Sequence, residues 1–168
     1  MKKIYSILLI GCFILSGFEA IASHDDSEYE LNTINESIIL SEPTLHDTGD
    51  FFSISIEQAT SSIKNPGEPD LPVITKIFSL PFGSSIERID LVFSNEKQIE
   101  LSKKVIPFNE PSQIGTQENH YKLNTLDPGV YDTSDRYPNN KFSYTLVSGL
   151  ENDEHVTYLL VHCYPTIY

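Results

Sequence analysis

The sequence has no tryptophan and only two cysteines, Cys12 and Cys163. Cys12 falls in an apolar N-terminal segment that we expect to be removed, which leaves one cysteine in the mature protein. An intrachain disulfide is therefore excluded, and the core must be held together by packing alone. The aromatic residues are 9 tyrosines and 9 phenylalanines, two residue types that favour β-strands.

Basic residues are also scarce. The chain has 11 Lys and Arg against 24 Asp and Glu, and its formal net charge is −13 at pH 7. Such a charge repels polyanions, so neither nucleic acid nor an anionic membrane surface is expected as a partner. Solubility is the simplest consequence of this acidity.

Only one long apolar run is present, at residues 4–18, and two lysines precede it. A run of about 15 residues is long for the apolar region of a signal peptide and short for a membrane-spanning helix. Ala20 and Ala22 occupy the positions at which signal peptidase requires small side chains. We therefore predict that residues 1–22 are a helical signal peptide, cleaved between Ala22 and Ser23, and that the mature protein is secreted. An uncleaved membrane anchor is the alternative.

A second interpretation of the same segment is a lipoprotein signal. Residues 9–12 read Leu-Ile-Gly-Cys, in which Cys12 would be lipid-modified and become the new N-terminus. The protein would then be lipid-anchored at the cell surface. This interpretation ranks second, because the apolar sequence before Cys12 is short and continues beyond it.

No segment outside the leader shows the 3.6-residue periodicity of an amphipathic helix. Phe52, Ile54 and Ile56 alternate with polar residues, the pattern of a half-buried strand. Further strands are predicted between turn signals, at residues 73–80, 86–93, 98–106, 142–147 and 155–163. The sequence therefore predicts an all-β fold, an antiparallel β-sandwich over residues 50–168.

Two segments lack strand patterns. Residues 23–49 are polar and acidic, and we predict a flexible lead-in. Residues 107–141 are polar and proline-containing, and a loop of this length is usually functional or disordered. Asp127, Asp132 and Asp135 lie in it, but they lack the spacing of a calcium-binding loop, and solvated turn residues explain them better.

The sequence lacks a recognisable catalytic pattern. Cys163 and His162 are neighbours in a predicted strand, so their side chains point to opposite faces and form no dyad. His155 lies too far along the same strand. Cys163 is better explained as a small packed residue. We expect no catalytic residues, no metal and no cofactor, and hence no enzyme.

A proline- and glycine-rich segment is the most specific pattern. Residues 66–74 read Pro-Gly-Glu-Pro-Asp-Leu-Pro-Val-Ile, and residues 77–83 read Ile-Phe-Ser-Leu-Pro-Phe-Gly. With the later landmarks at 104–107, 137–138 and 164–168, this order resembles the N-terminal propeptide of gingipain-type cysteine peptidases. The matching residues are Gly67, Pro69, Leu71, Pro72, Pro81, Pro107, Tyr137, Pro138, Pro165 and Tyr168.

The resemblance implies a β-sandwich that covers the active-site entrance of a cysteine endopeptidase, keeps it latent and assists its folding during secretion. The partner would be the catalytic domain of that peptidase, in cis or in trans. The family's catalytic residues belong to a separate, caspase-like domain. In some members a basic propeptide residue occupies the substrate pocket, and Arg136 and Lys141 are candidates by location.

Two further expectations remain. Family propeptides continue beyond the position of Tyr168 into another strand, so the sandwich is expected to lack its last strand. The alternative function is a free-standing secreted β-sandwich that serves in binding or adhesion.

Overall fold

The structure, a computed structural model, describes residues 5–9, 12–15, 20–21, 32–110 and 125–168. Antiparallel strands dominate it and curl into a half-barrel, which confirms the all-β, sandwich-like fold class. The strands are β1 Tyr5–Leu9, β2 Cys12–Leu15, β3 Ala20–Ile21, β4 Glu36–Ile39, β5 Thr44–Asp47, β6 Phe52–Ser55, β7 Ser61–Ser62, β8 Pro72–Pro81, β9 Ser85–Ile86, β10 Leu91–Val92, β11 Glu96–Glu100, β12 Phe142–Glu151, β13 Glu154–Cys163 and β14 Thr166–Ile167. A single helical turn, α1, spans Pro128–Tyr131.

The central sheet has the order β12-β13-β8-β7. Its longest unit is the β12–β13 hairpin, which turns at Asn152 and Asp153 with φ angles of 51° and 66°. A two-residue hairpin turn requires positive φ, and Asn and Asp adopt it more readily than other non-glycine residues. The strands predicted at 73–80, 142–147 and 155–163 are thus present. β12 runs further than predicted, because Gly149 continues the strand.

The main hydrophobic core lies on one face of this sheet. Leu159, Val161 and Cys163 alternate along β13 and have no exposed surface, since every second side chain of a strand points to the same face. The core is completed by residues from β8 and from the segments before and after it: Leu40, Ile74, Leu80 and Phe93.

The leader is not helical where the structure describes it. β1 pairs with β11 and β14, β2 pairs with β4 and β10, and β3 pairs with β9. The expected signal-peptide helix is therefore corrected to strands in these ranges. An apolar run fits a buried strand as well as a helix, and sequence pattern alone does not separate the two. Within the described ranges, no helix is long and apolar enough to span a membrane.

Three other expectations are corrected. Residues 36–47 of the expected flexible lead-in form β4 and β5, and Leu40 between them is buried in the core. The strand predicted at 86–93 is divided into β9 and β10, of two residues each, and the strand predicted at 98–106 keeps regular pairing only in β11. The long loop contains α1, whose N-terminal Asp127 side chain accepts a bond from the Gly129 amide at 2.7 Å.

Candidate functional site

A second hydrophobic core gathers residues that are far apart in the sequence. Its buried members are Ile54, Leu71, Val105, Tyr131 and Tyr168, with Tyr137 packed against them. We call Tyr131, Tyr137 and Tyr168 the tyrosine cluster. The prolines and the glycine of residues 66–74, which we call the motif segment, lie beside it.

The motif segment forms backbone hydrogen bonds with residues 106–108, where the long loop begins. The Asp70 amide donates to the Ile106 carbonyl at 2.9 Å, and the Phe108 amide donates to the Glu68 carbonyl at 2.8 Å. Pro69 lies opposite Pro107 in an antiparallel bridge and is fully buried. The two prolines donate no backbone hydrogen bond, so they fit positions of this pairing that need no donor.

Gly67 is required by the backbone path. Its φ is +81°, a value that side chains rarely adopt, and a Cβ there would lie 3.2 Å from the Thr125 carbonyl oxygen. Its amide donates to Phe108 at 2.9 Å, and its carbonyl accepts from the Asp127 amide at 2.8 Å. Gly67 therefore joins the start of the long loop, at Phe108, and the residue before α1, Asp127, to the motif segment.

Tyr131 anchors the loop to the core. Its hydroxyl donates to the Val105 carbonyl at 2.8 Å, and its ring meets that of Tyr168 edge-on, with centroids 5.3 Å apart. Burial raises the pKa of Tyr131 far above its usual value, and the neighbouring Tyr168 adds to this shift. The phenol therefore stays neutral and keeps its proton for the hydrogen bond.

Tyr137 and Tyr168 close the cluster. Each donates its backbone amide to the carbonyl of the other, at 2.8 and 2.7 Å. The Tyr137 hydroxyl donates to the Glu68 carboxylate at 2.5 Å, and Asn65 donates to the same oxygen at 2.7 Å. Burial, followed by the hydrogen bond to Glu68, raises the pKa of Tyr137. The Tyr137 region is thus tied at once to the motif segment and to Tyr168.

Most of the motif residues meet here, and one does not. These contacts connect six of the ten motif residues: Gly67, Pro69, Leu71, Pro107, Tyr137 and Tyr168. Three others are next to them in the chain or close to β14. Pro72 begins β8, Pro138 follows Tyr137, and Pro165 is fully buried before β14. Pro81 is exposed at the far end of β8, opposite Val156. Pro81 therefore lies at the end of the central sheet and is not part of the contacts around the tyrosine cluster.

The two candidate inhibitory residues differ in their surroundings. Lys141 forms an ion pair with Glu96 at 2.7 Å and lies 5.7 Å above the ring of Phe93. Arg136 is exposed and makes no ion pair within the described part of the chain. Lys141 is therefore engaged by other groups of the chain, whereas Arg136 is exposed.

Lys64 is a second exposed cation without an ion pair among the described residues, and sequence reasoning did not identify it. The Asn65 side-chain amide donates to the Tyr137 hydroxyl at 3.3 Å. Lys64 directly precedes Asn65 in the sequence, and Arg136 directly precedes Tyr137. They are 72 positions apart, and no local pattern could have paired them.

Two of the three loop aspartates have structural partners. Asp127 caps α1, and Asp132 accepts from Lys104 at 3.3 Å. Asp135 is exposed beside Arg136. In the ranges that the structure covers, no three His, Cys, Asp or Glu side chains are grouped to hold a metal ion.

Cys163 lies in the main core. Burial raises the pKa of its thiol to about 12, so the thiolate form is disfavoured at neutral pH. His162 lies on the opposite face of β13, where Nδ1 is 2.9 Å from the Thr75 hydroxyl. His155 packs against Phe82, with ring centroids 5.4 Å apart. Neither imidazole activates the thiol in this arrangement.

Fold and site together define a small all-β domain whose proline-rich segment and long loop are joined through a buried tyrosine cluster. No protein family, no curated protein and no solved structure was found to match this chain. The signal cleavage position at Ala22 and Ser23 lies outside the described residues.

Proposed function

We propose that this chain is the propeptide of a gingipain-like cysteine endopeptidase, that it keeps the enzyme latent and assists its folding during secretion, and that Arg136 is its inhibitory residue. One observation carries the choice of residue. Arg136 is exposed and has no ion pair among the described residues, and it directly precedes Tyr137, whose backbone amide and carbonyl both form hydrogen bonds with Tyr168. The resemblance of the motif residues supports the function.

The contacts around Arg136 support a role as a substrate mimic. The neighbouring Tyr137 is held by two backbone hydrogen bonds to Tyr168 and by its hydroxyl bond to Glu68. A guanidinium presented on a preorganised segment loses little conformational freedom on binding. Arginine also pairs in a bidentate geometry with a carboxylate, which suits a peptidase pocket that selects basic side chains.

An inhibition assay tests this proposal. The purified chain is titrated against an arginine-specific gingipain-type peptidase, and the residual hydrolysis of a small arginine substrate is measured. We expect inhibition at or below micromolar concentration. Arg136→Ala should weaken it by at least tenfold, since a buried charge-assisted pair contributes roughly 1.5–3 kcal/mol.

Arg88→Ala is the matched control, because Arg88 is an exposed arginine already paired with Asp90 at 2.7 Å. It should inhibit as well as the unaltered chain. Absence of inhibition by the unaltered chain would refute the inhibitor function for that peptidase, and equal losses in the two variants would refute the role of Arg136.

Export is part of the same proposal. We infer cleavage between Ala22 and Ser23 and release to the exterior, with lipid anchoring through Cys12 as the alternative. Mass spectrometry of the N-terminus of the exported protein decides the matter: Ser23 as first residue supports cleavage, and a lipidated Cys12 supports the anchor.

A second candidate function, binding or adhesion by a free-standing module, is favoured by one observation. β12 is an edge strand of the central sheet, and its Tyr144 and Leu150 are 49% and 62% exposed. An apolar, unpaired edge is a common site of protein association. Binding to a surface that survives Arg136→Ala but is lost with Leu150→Lys would favour this function.

A further inference from the structure

The three leader strands occupy unusual positions in the sheets. β1 lies between β11 and β14, and β2 lies between β10 and β4. β3 is the partner of β9. In the described ranges, β4, β9, β10, β11 and β14 have no strand partner other than these three. The leader therefore completes every sheet outside the central one and the β5–β6 pair.

Removal of residues 1–22 would open a gap with two backbone edges. The register shows its extent: β1 pairs along all of β11, from Tyr5 opposite Glu100 to Leu9 opposite Glu96. On the other side, Ile7 lies opposite Ile167 and Leu8 opposite Thr166. Unpaired backbone amides and carbonyls on such edges readily pair with another extended chain.

The walls of the gap are suited to an apolar strand. With β1 in place, Thr166 and Ile167 of β14 are 0% and 5% exposed, so the edge on which β1 lies is enclosed in the intact chain. Both β1 and β2 consist of uncharged residues, YSILL and CFIL. The occupant seated in the structure is therefore an extended, uncharged and predominantly apolar segment.

We propose that, in the processed protein, the gap between β11 and β14 binds an extended apolar segment of a partner polypeptide by antiparallel β-augmentation. This inference depends on the leader cleavage proposed above, but not on peptidase inhibition. After residues 1–22 are removed, 9 Lys and Arg remain against 23 Asp and Glu. A second copy of this chain is therefore a poor occupant, because two molecules of formal net charge −14 would have to approach closely. Main-chain bonds to both edges would give affinity, and the apolar side chains would give specificity.

The experiment begins from the full chain, carrying a protease site in place of the residues around the Ala22–Ser23 junction. The folded protein is cut, and a labelled synthetic peptide of residues 5–15 is added as the probe. We expect saturable binding of the peptide. We also expect hydrogen-exchange protection of residues 96–100 and 166–167 that falls when the cut leader leaves and returns with the peptide.

The controls reside in the peptide, so they do not affect folding of the domain. Ile7→Pro removes a backbone donor opposite Ile167 and should weaken binding by roughly tenfold, the loss expected for a strand hydrogen bond and the accompanying steric conflict. A matched Ser6→Thr peptide retains every donor and should bind as the unaltered peptide does.

Four results would overturn the proposal. The first is equal binding of the Ile7→Pro peptide, and the second is full protection of residues 96–100 after the leader has left. The third is protection that rises with protein concentration and accompanies dimerisation, which would make a second copy the occupant. The fourth is an exported protein that retains residues 1–22. Inhibition of the peptidase is measured on the same sample, so its loss is scored separately from the loss of peptide binding.

Discussion

The backbone amides and carbonyls of Tyr137 and Tyr168 form a reciprocal pair, with N–O distances of 2.8 and 2.7 Å. This pair joins the end of the long loop to the end of the described chain. It also holds Arg136 beside the motif segment, through the bond from the Tyr137 hydroxyl to Glu68. The stability of the tyrosine cluster is therefore expected to govern the presentation of Arg136.

Removal of one hydroxyl from the cluster should have opposite effects at two positions. Tyr131→Phe deletes a buried hydrogen bond to the Val105 carbonyl and should lower the free energy of unfolding by about 1–2 kcal/mol. The Tyr168 hydroxyl is buried without a hydrogen-bond partner in the described part of the chain. Tyr168→Phe should therefore be neutral or raise the stability by up to about 1 kcal/mol, since it removes an unsatisfied polar group.

Urea denaturation of the two variants, followed by circular dichroism, gives both values under the same conditions. Equal losses in the two variants would contradict this account of the cluster, because the two substitutions differ only in whether the deleted hydroxyl has a partner.

The glycine at position 67 provides a prediction with an internal control. Gly67 and Gly83 have φ angles of +81° and +84°, so alanine at either position costs about 1 kcal/mol of backbone strain. Only at Gly67 does a Cβ also meet a backbone atom, the Thr125 carbonyl oxygen at 3.2 Å. Gly67→Ala should consequently lower the thermal midpoint more than Gly83→Ala does. A larger effect at Gly83 would be inconsistent with the tight approach seen here.

Alkaline pH should destabilise the fold. Burial raises the pKa of Cys163 from 9.0 to about 12 and that of Tyr168 from 10.0 to about 12. Both groups hold their protons more tightly in the folded state, so their stabilising contribution is complete below the unfolded values. It is lost as the pH rises from about 9 towards 12.

The urea midpoint, measured at a series of pH values, should fall through this window. Cys163→Ala removes one titrating group and should make the fall shallower, whatever it does to stability at neutral pH. A midpoint that stays constant up to pH 11 would show that these groups titrate alike in the folded and unfolded states.

Once salt screens the charge repulsion between molecules, the apolar edge strand β12 should promote self-association. Leu150 lies opposite His155, and Tyr144 and Leu146 lie opposite the fully buried Val161 and Leu159. Leu150→Lys places a charge on this edge, as natural edge strands do to prevent pairing. The variant should show a smaller weight-average mass at high protein concentration in sedimentation experiments. Ser143→Lys, on the opposite face of β12, is the control for the added charge itself, and an equal decrease there would refute the role of the apolar row.

The class of fold and the principal strands were predictable from the sequence. Alternation around Ile54 and along residues 155–163 leads directly to β6 and β13, since the two-residue period is a local property of the strand. The short strands β9 and β10 were not predictable as such, because only their pairing partners limit their length. The sequence predicts a helix for residues 1–22, which is wrong in the described ranges, because an apolar run contains no local feature that distinguishes a helix from a buried strand.

What the sequence by itself determined is the all-β character, the acidic charge and the identity of the motif residues. The tertiary structure alone decided how those residues meet, because Gly67, Tyr137 and Tyr168 are joined by backbone pairing between distant segments. It also separated Arg136 from Lys141, because Glu96 and Phe93 approach Lys141 only after folding. Local patterns record which residues can form strands, whereas the choice of partner depends on contacts between segments that the sequence places far apart.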